Sequence, residues 1–523
     1  MTTVSDIRPH VTPLPLERAL EGIDVLEWIP GPHGRAQDTE VKGITVSNHD
    51  IAPGWLFVAI PGYTQHGIRF AHAAAEAGAV AVLTDPEGAR RAREQVLDLP
   101  VVVVEDPRAA CAPVAATIYA HPARQLRTMA ITGTNGKTTT SYLMRAALGV
   151  DHPDAALCGT VETLVGGLDI RSEHTTNEAP VIQRLLALAL QSGEGAAVVE
   201  TSAHALSLHR VDDIVFDVAG FTNLQHDHLD YYGDMEHYFE AKRMLFTPAH
   251  SRQAVVCVDD EWGQRLAREA EVPVTTVSAL TDTPAQWQVR GIRADKGSSR
   301  TVFTLVDPHG VGHRVGCPVP GEVNVQNTVV AIVSAVCLGL DLEAVIDAVE
   351  AAPQVPGRMQ KVNDDASLQP LVVVDYAHTP EGLEWTLRSI RELTRNRLVL
   401  VFGTDGDRDA TKRPDLARIA ARGADVLWVT DENPRTEDAA SIRAELLGAI
   451  REVRPDMHEV TEVTTCRRDA VRRALLAAEA GDTVLITGKG AEWYQDVQGI
   501  KHAYNDVPVA REVLDQDPRI QAR

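Results

Sequence analysis

The chain of 523 residues is too long for one ordinary hydrophobic core, and its 44% hydrophobic and 24% charged composition is that of a globular protein of two to four domains. A formal charge of −23, from 50 basic against 73 acidic residues, argues against a broad nucleic-acid surface but not against a local cationic pocket. Six scattered cysteines without a CxxC pair argue against a disulfide framework or a zinc ribbon, and the absence of a long apolar run predicts neither a membrane span nor a signal peptide, hence a cytoplasmic chain.

The predicted elements fall into three blocks. In residues 1–125, "ITVSNHDIAPGWLFVAIPG" reads as strand, turn, strand; "AHAAAEAGAV" is a helix, and "AVAVLTD" and "LPVVVVEDP" are short β-branched strands. Residues 126–355 begin with the strand "TMAITG", a glycine loop and the helix "TTTSYLMRAAL", and continue through the apolar runs of "GAAVVETSAH" and "FDVAGFTNL". "AAPQVPGRM" reads as a linker. Residues 356–523 place the apolar strands of "PLVVVDYAHTP", "RLVLVFG", "DVLWVTDENP" and "DTVLITGKG" in alternation with helical patterns such as "PDLARIAARGA". That alternation predicts a parallel α/β sheet with ligand groups at the carboxyl ends of its strands.

The loop Gly133-Thr134-Asn135-Gly136-Lys137-Thr138-Thr139 is a shortened phosphate loop, with isoleucine at 131 where the common G-x-x-x-x-G-K-[ST] spacing has its first glycine. Its parts are nevertheless present. Backbone N–H groups and a helix N-terminus favour an anion, Lys137 can reach the β- and γ-phosphates, and Thr138 can hold Mg²⁺. Glu200 ends one apolar run as a possible magnesium carboxylate, and "FTNLQHDHLDYYGD" follows another with His226, Asp227, His228 and Asp230. Taken singly, each of these is more often a cap or a solvated group.

The order of motifs resembles the Mur ligase family, ATP-dependent amide-forming enzymes of cell-wall synthesis, from about residue 40 to 515. The stretches that carry the resemblance are "GTNGKTT", "ETSAHALSLHRVDDIVFDVAGFTNLQHDHLDYYGDMEHYFEAKRMLF", "NVQN", "VPGRM", "VDYAHTPEGLE", "FGTDGDRDATKRP", "DENPR" and "GKGAEWYQ". Together they point to the branch that adds a diamino acid to UDP-MurNAc-L-Ala-D-Glu. The resemblance implies three α/β domains: an N-terminal UDP-substrate domain, a central ATPase-like parallel sheet and a C-terminal Rossmann-like domain. It implies that ATP phosphorylates a substrate carboxylate and that an amine attacks the acyl phosphate. One magnesium would be held by Thr138 and Glu200, a second with His228 and Lys242, the latter as a CO₂-derived carbamate. Without the family match, Lys242 reads as a surface helix lysine. Asn327, Arg358, Asp375 and His378 fall at ATP-site positions, and Ser47, Thr175, Thr176, Ser202 and Arg210 at UDP-substrate positions. A monomer is expected.

For the acceptor, the resemblance assigns Arg408, Glu432, Asn433, Arg435, Gly488 and Glu492. A guanidinium receiving the distal carboxylate of meso-diaminopimelate is sound chemistry. Three departures stand out. The usual D-S-R reads Val46-Ser47-Asn48, the usual D-N-P-R reads Glu432-Asn433-Pro434-Arg435, and the usual G-K-G-H-E has Ala491 in place of its histidine. The last two fall in the acceptor pocket, and on their account L-lysine and L-ornithine remain alternative acceptors. A folylpolyglutamate synthase, which shares the glycine loop, and a P-loop ATPase of other function are competing readings. Neither gives a reason for "DENPR".

Overall fold

The computed structural model describes residues 3–32, 35–62, 65–172, 174–295, 300–363 and 369–516. They form two compact units. One holds the chain up to Gln286 together with Val329–Val349; the other holds Trp287–Thr328 and the chain from Glu350 onward.

Besides the short antiparallel pair Leu14–Pro15 and Glu40–Val41, the first unit contains two larger sheets. Strands Trp55–Ala59, Ala79–Thr84 and Val101–Val104 are buried parallel strands, extended by Ile44–Thr45 on one side and closed by the antiparallel Val25–Ile29 on the other. Their β-branched runs need cover on both faces, which helices such as Ala71–Glu76 and Pro107–Ile118 supply. The larger sheet runs in the order Leu168–Arg171, Glu162–Val165, Ala156–Cys158, Ala196–Glu200, Arg127–Thr132, Val218–Phe221, Ala254–Cys257, Val274–Ser278. It is parallel from Ala156–Cys158 to Val274–Ser278 and ends in the Glu162–Arg171 hairpin. Arg184, on a helix beside the larger sheet, is buried and reaches both oxygens of Asp50, on a loop of the smaller one, at 3.2 and 2.7 Å. This ion pair and the packing of Ala187 into the smaller sheet's core tie the first predicted block to the part of the second that shares its unit.

In the second unit, Leu371–Val374, Thr483–Ile486, Leu398–Phe402, Val426–Val429 and Val460–Glu462 lie side by side as parallel strands, with Gln360–Lys361 antiparallel at one edge. Helices Pro380–Leu393, Arg413–Gly423, Ala439–Val453, Arg467–Ala477 and Asp506–Asp515 accompany this sheet. The unit also carries the antiparallel strands Trp287–Asp295, Arg300–Val306 and Gly312–Cys317, which the sequence division had placed with the central block. Among the described residues, no helix is long and apolar enough to cross a membrane.

Candidate functional site

The strand that feeds the glycine loop lies between the strand ending at Glu200 and the strand ending at Phe221, parallel to both. Glu200 stands opposite Ile131 and Phe221 opposite Thr132. Three carboxyl ends therefore meet at one edge, the place where parallel sheets of this kind carry their ligand groups. Gly133 has φ +149°, and a Cβ there would lie 1.9 Å from Thr222 Oγ1, so a side chain has no room. The loop is stapled to the next strand's exit. Asn223 O accepts from Thr134 N at 2.9 Å, Asn223 Oδ1 from Asn135 N at 3.0 Å, and Thr134 Oγ1 from Gln225 N at 2.9 Å. Gly136, left-handed, opens the helix Lys137–Leu148, whose first turn buries Thr138 and Thr139. Lys137 Nζ folds back onto Gly133 O and Thr134 O at 3.0 and 3.1 Å.

Glu200 is fully buried, and its carboxylate is bound on both oxygens. Oε2 accepts from Thr138 Oγ1 at 3.1 Å and Thr160 Oγ1 at 2.7 Å; Oε1 accepts from Ser141 Oγ at 3.0 Å and Thr160 N at 3.2 Å. A buried carboxylate is tolerable when so many donors surround it. Among the described residues no three His, Cys, Asp or Glu side chains gather as a metal site. The Thr138 hydroxyl and Glu200 carboxylate are instead hard oxygen donors, a pair that fits Mg²⁺ when water and phosphate complete the shell.

Lys242 is not the surface lysine that the helix pattern alone suggests. It is 1% exposed, its Nζ donates to Gly133 O at 2.8 Å and lies 4.6 Å from the centre of the Tyr238 ring. Burial, and secondarily the positive charge of Lys137, hold its ammonium well below the usual lysine range. His228, in a left-handed backbone conformation, sets its ring against His204 at 4.9 Å and Tyr238 at 6.0 Å. Its Nε2 lies 3.4 Å from Asp227 Oδ2. Burial lowers its basicity, partly offset by Asp227 and reinforced by Lys137 and Lys242. Lys137, Lys242 and His228 thus belong to one electrostatic neighbourhood.

Four of the predicted substrate residues connect to Glu200, through its carboxylate or its backbone carbonyl. Thr160 Oγ1 is 3.2 Å from Thr175 Oγ1, and Thr176 Oγ1 donates to Glu200 O at 2.8 Å and accepts from Ser202 N at 3.0 Å. Arg210 Nη1 donates to Thr176 O at 2.9 Å, and its Nη2 pairs with Glu178 Oε1 at 2.8 Å. Ser47 sits apart from this network, on the loop of the smaller sheet that Asp50 and Arg184 anchor; its Oγ accepts from His49 N at 3.2 Å.

In the second unit, Asn327 is buried and donates to Asn324 Oδ1 at 2.9 Å. Asp375 ends a strand, and its carboxylate accepts from Met359 N, Ala377 N and Thr386 Oγ1 at 2.8, 2.9 and 3.0 Å. The Arg358 guanidinium lies 4.1 Å over the Tyr376 ring, against whose edge His378 also packs, at 4.6 Å. Burial keeps the His378 imidazole neutral-leaning.

Glu432, Asn433 and Arg435 follow the strand Val426–Val429 and meet the strand exits at 403–408 and 487–492. Gly406 N donates to Asn433 O at 2.8 Å, and a Cβ on Gly406 would fall 2.0 Å from Pro434 O, so these loops touch backbone to backbone. Asn433 Nδ2 donates to Asp405 Oδ1 at 3.0 Å and Glu492 Oε2 at 3.1 Å, while Lys489 Nζ donates to Asn433 Oδ1 at 2.8 Å and Glu492 Oε2 at 2.7 Å. Arg435 has φ +52° and is held there by bonds from its N to Asp496 O and to its O from Gln498 N. Its Nη2 lies 3.2 Å from Asp405 Oδ2. Glu432 is buried with Oε2 unpartnered, beside Gly488, where a Cβ would approach that oxygen to 2.4 Å. Burial first, then Asp405, pushes its carboxyl up to about 8. Arg408 is exposed.

Comparison with known proteins matches residues 40–119 to the Mur ligase family catalytic domain, 131–335 to the Mur ligase middle domain and 357–490 to the Mur ligase glutamate ligase domain. The UDP-N-acetylmuramoyl-L-alanyl-D-glutamate–2,6-diaminopimelate ligase of Streptomyces coelicolor is 44% identical over 487 residues, 93% of this chain and 94% of that protein. The chain belongs to the Mur ligase family. The UDP-N-acetylmuramyl-tripeptide synthetase of Leifsonia xyli is also 44% identical, across 98% of both chains. A solved 2,6-diaminopimelate ligase structure matches with TM-score 0.66 at 30% identity, covering 98% of this chain and 100% of that one. The fold alone is shared with Mycobacterium tuberculosis folylpolyglutamate synthase, at TM-score 0.59 and 21% identity over 77% of this chain and 94% of that chain.

Sequence reasoning missed several members of this Mur ligase site. Thr160 and Ser141 complete the Glu200 cage, Asn223 and Gln225 hold the glycine loop, and Asp405 and Lys489 join the 432–435 loop. Thr160 had a signal: it follows the parallel strand Ala156–Cys158, at the same edge as Glu200. Lys489 and Asp405 lie inside quoted motifs, but their direction of approach depends on loop packing.

Proposed function

We propose that the chain is an ATP-dependent ligase that joins a diamino acid, meso-diaminopimelate first among candidates, to a carboxylate of UDP-MurNAc-L-Ala-D-Glu. The observation that carries this reading is the glycine loop with Lys137, Thr138 and the caged Glu200 at one strand edge, in a chain of this family. Three functional blocks are retained: 1–125 for the UDP-sugar, 126–355 for ATP and the reacting carboxylate, and 356–523 for the acceptor. ATP transfers its γ-phosphoryl group to the carboxylate oxygen, releasing ADP. The acceptor amine then attacks the acyl carbon, the C–O bond to phosphate breaks, and the amine loses a proton. The loop N–H groups and the helix N-terminus bind the phosphates, and Lys137 turns from its own loop to the transferring group. Thr138 and Glu200 are the residues that would hold Mg²⁺, whose charge offsets that of the phosphates. Burial favours the neutral amine of Lys242, the form that adds CO₂ with loss of a proton; the resulting carbamate would offer oxygens to a cation near His228. Thr175, Thr176, Ser202, Arg210 and Ser47 are assigned to the UDP-substrate, Asn327, Arg358, Asp375 and His378 to ATP. The reading places a monomer in the cytoplasm.

The test is phosphate release from ATP and Mg²⁺ with UDP-MurNAc-L-Ala-D-Glu, supplying meso-diaminopimelate, L-lysine and L-ornithine separately. Release that needs both the nucleotide and an amine is the expected result; no release with any acceptor overturns the ligase reading.

A further inference from the structure

The acceptor loops of the second unit carry more negative charge than a carboxylate-seeking pocket needs. Arg435 is the group suited to a distal carboxylate, and a guanidinium binds a carboxylate best through two parallel N–H bonds. In this chain it already has an internal partner, with Asp405 Oδ2 3.2 Å from its Nη2. Asp405 is fixed there, since its other oxygen accepts from Asn433 at 3.0 Å. Asn433 is in turn held by the fully buried Lys489 at 2.8 Å. Arg435 Nε has no partner among the described residues, so an arriving distal carboxylate can still reach the guanidinium, but only alongside the negative charge of Asp405. A distal ammonium meets the opposite field. Glu492 is one-quarter exposed and uses only Oε2 towards Asn433 and Lys489, leaving Oε1 without a hydrogen bond among the described residues. Asp405 is about equally accessible, at 21%. The two carboxylates thus flank the loop that carries Arg435.

Resting on the ligase reading above, we propose that Asp405 is a specificity-determining residue. By occupying Arg435 and adding its carboxylate beside Glu492, it makes the pocket select on the distal ammonium. Linear L-diamino acids without a distal carboxylate are then accepted as readily as meso-diaminopimelate. No new chemistry is required, because the attacking amine and the acyl phosphate are unchanged. The discrimination is electrostatic, an attractive element for one class of acceptor and a repulsive one for the other.

The experiment compares kcat/KM for L-ornithine, L-lysine and meso-diaminopimelate in the wild type, Asp405→Asn and Asp405→Ala. The amide keeps an acceptor for Asn433 while removing the charge that holds Arg435. In the wild type the better of ornithine and lysine should lie within about tenfold of meso-diaminopimelate, and both variants should shift that ratio towards meso-diaminopimelate by about tenfold or more. A merely structural role would lower all three acceptors together and leave the ratio where it was, which overturns the proposal. So does a wild type that prefers meso-diaminopimelate by more than about tenfold, and this arm stands even if neither variant can be purified. Wild-type turnover with one acceptor only upholds the ligase whatever happens to the ratio, whereas silence with all three overturns the ligase reading itself.

Discussion

The glycine-loop edge of the first unit and the acceptor loops of the second are both built at carboxyl ends of parallel strands, yet they treat buried charge in opposite ways. At the first, Glu200 is surrounded by Thr138, Ser141 and Thr160, and the loop is tied to Asn223 and Gln225. At the second, Glu432 Oε2, Arg435 Nε and Asp496 Oδ1 are buried without a partner, and Arg435 sits in a left-handed backbone conformation. Orphaned buried polar atoms are costly and persist where something else completes them or where function needs them. The lesson is a division of labour. On the proposed function, the charged group that would serve every acceptor, Glu200, is preorganised, while Glu432 and Arg435, which would meet the acceptor, are left unfinished.

The largest effect should come from breaking the finished side. Lys242→Ala removes the amine that meets Gly133 O, and phosphate release should fall by about 100-fold or more. Added formate or acetate should restore part of it, if a carboxylate-like group at that place is what the reaction uses. Activity equal to wild type without any addition would remove Lys242 from the site and erase the contrast between the two regions.

A smaller effect is expected on the unfinished side. Arg435→Ala should raise the KM for meso-diaminopimelate by no more than about tenfold, less than one full charge-assisted contact, because Asp405 already shares the guanidinium. L-ornithine should change less still, because it carries no distal carboxylate for Arg435 to hold. Equal losses for both acceptors would mean that Arg435 holds the loop rather than reading the ligand.

The smallest effect sharpens the comparison through pH. The Glu432 carboxyl is raised from an ordinary 4.5 to about 8 in the folded chain, by burial and then by Asp405. Between these values the folded state keeps a proton that the unfolded state has lost. Stability therefore falls as pH rises through that window and levels off above it. Glu432→Gln removes this dependence. Its melting temperature relative to wild type should rise from about pH 5 to about pH 8 by a few degrees, followed by scanning calorimetry. A constant difference across the range would show that Glu432 is not held protonated.

Much of this organisation was legible in one dimension. Apolar runs of four to six residues ending in polar or glycine-rich turns gave the parallel strands, because a strand covered on both faces has to be apolar throughout. The glycine loop, the Glu200 strand end and the 432–435 loop could be named for the same reason: ligand groups follow such strands. Less regular elements were harder to read. The antiparallel strands within 287–317 lack a strong apolar alternation, and the hairpin of Tyr494–Val497 with Ile500–Ala503 pairs a half-buried strand with an exposed one.

The sequence by itself determined which residues stand at strand ends, since period and punctuation are local properties. Only the tertiary structure decided which of those ends are neighbours and how deep each group lies. That is why Lys242 passes for a surface lysine on its helix yet is buried against Gly133. It is also why Asp405, an unremarked acid in "FGTDGDRD", proves to be the partner of Arg435. Burial and charge pairing depend on what the rest of the chain brings alongside, and no single stretch of sequence contains that.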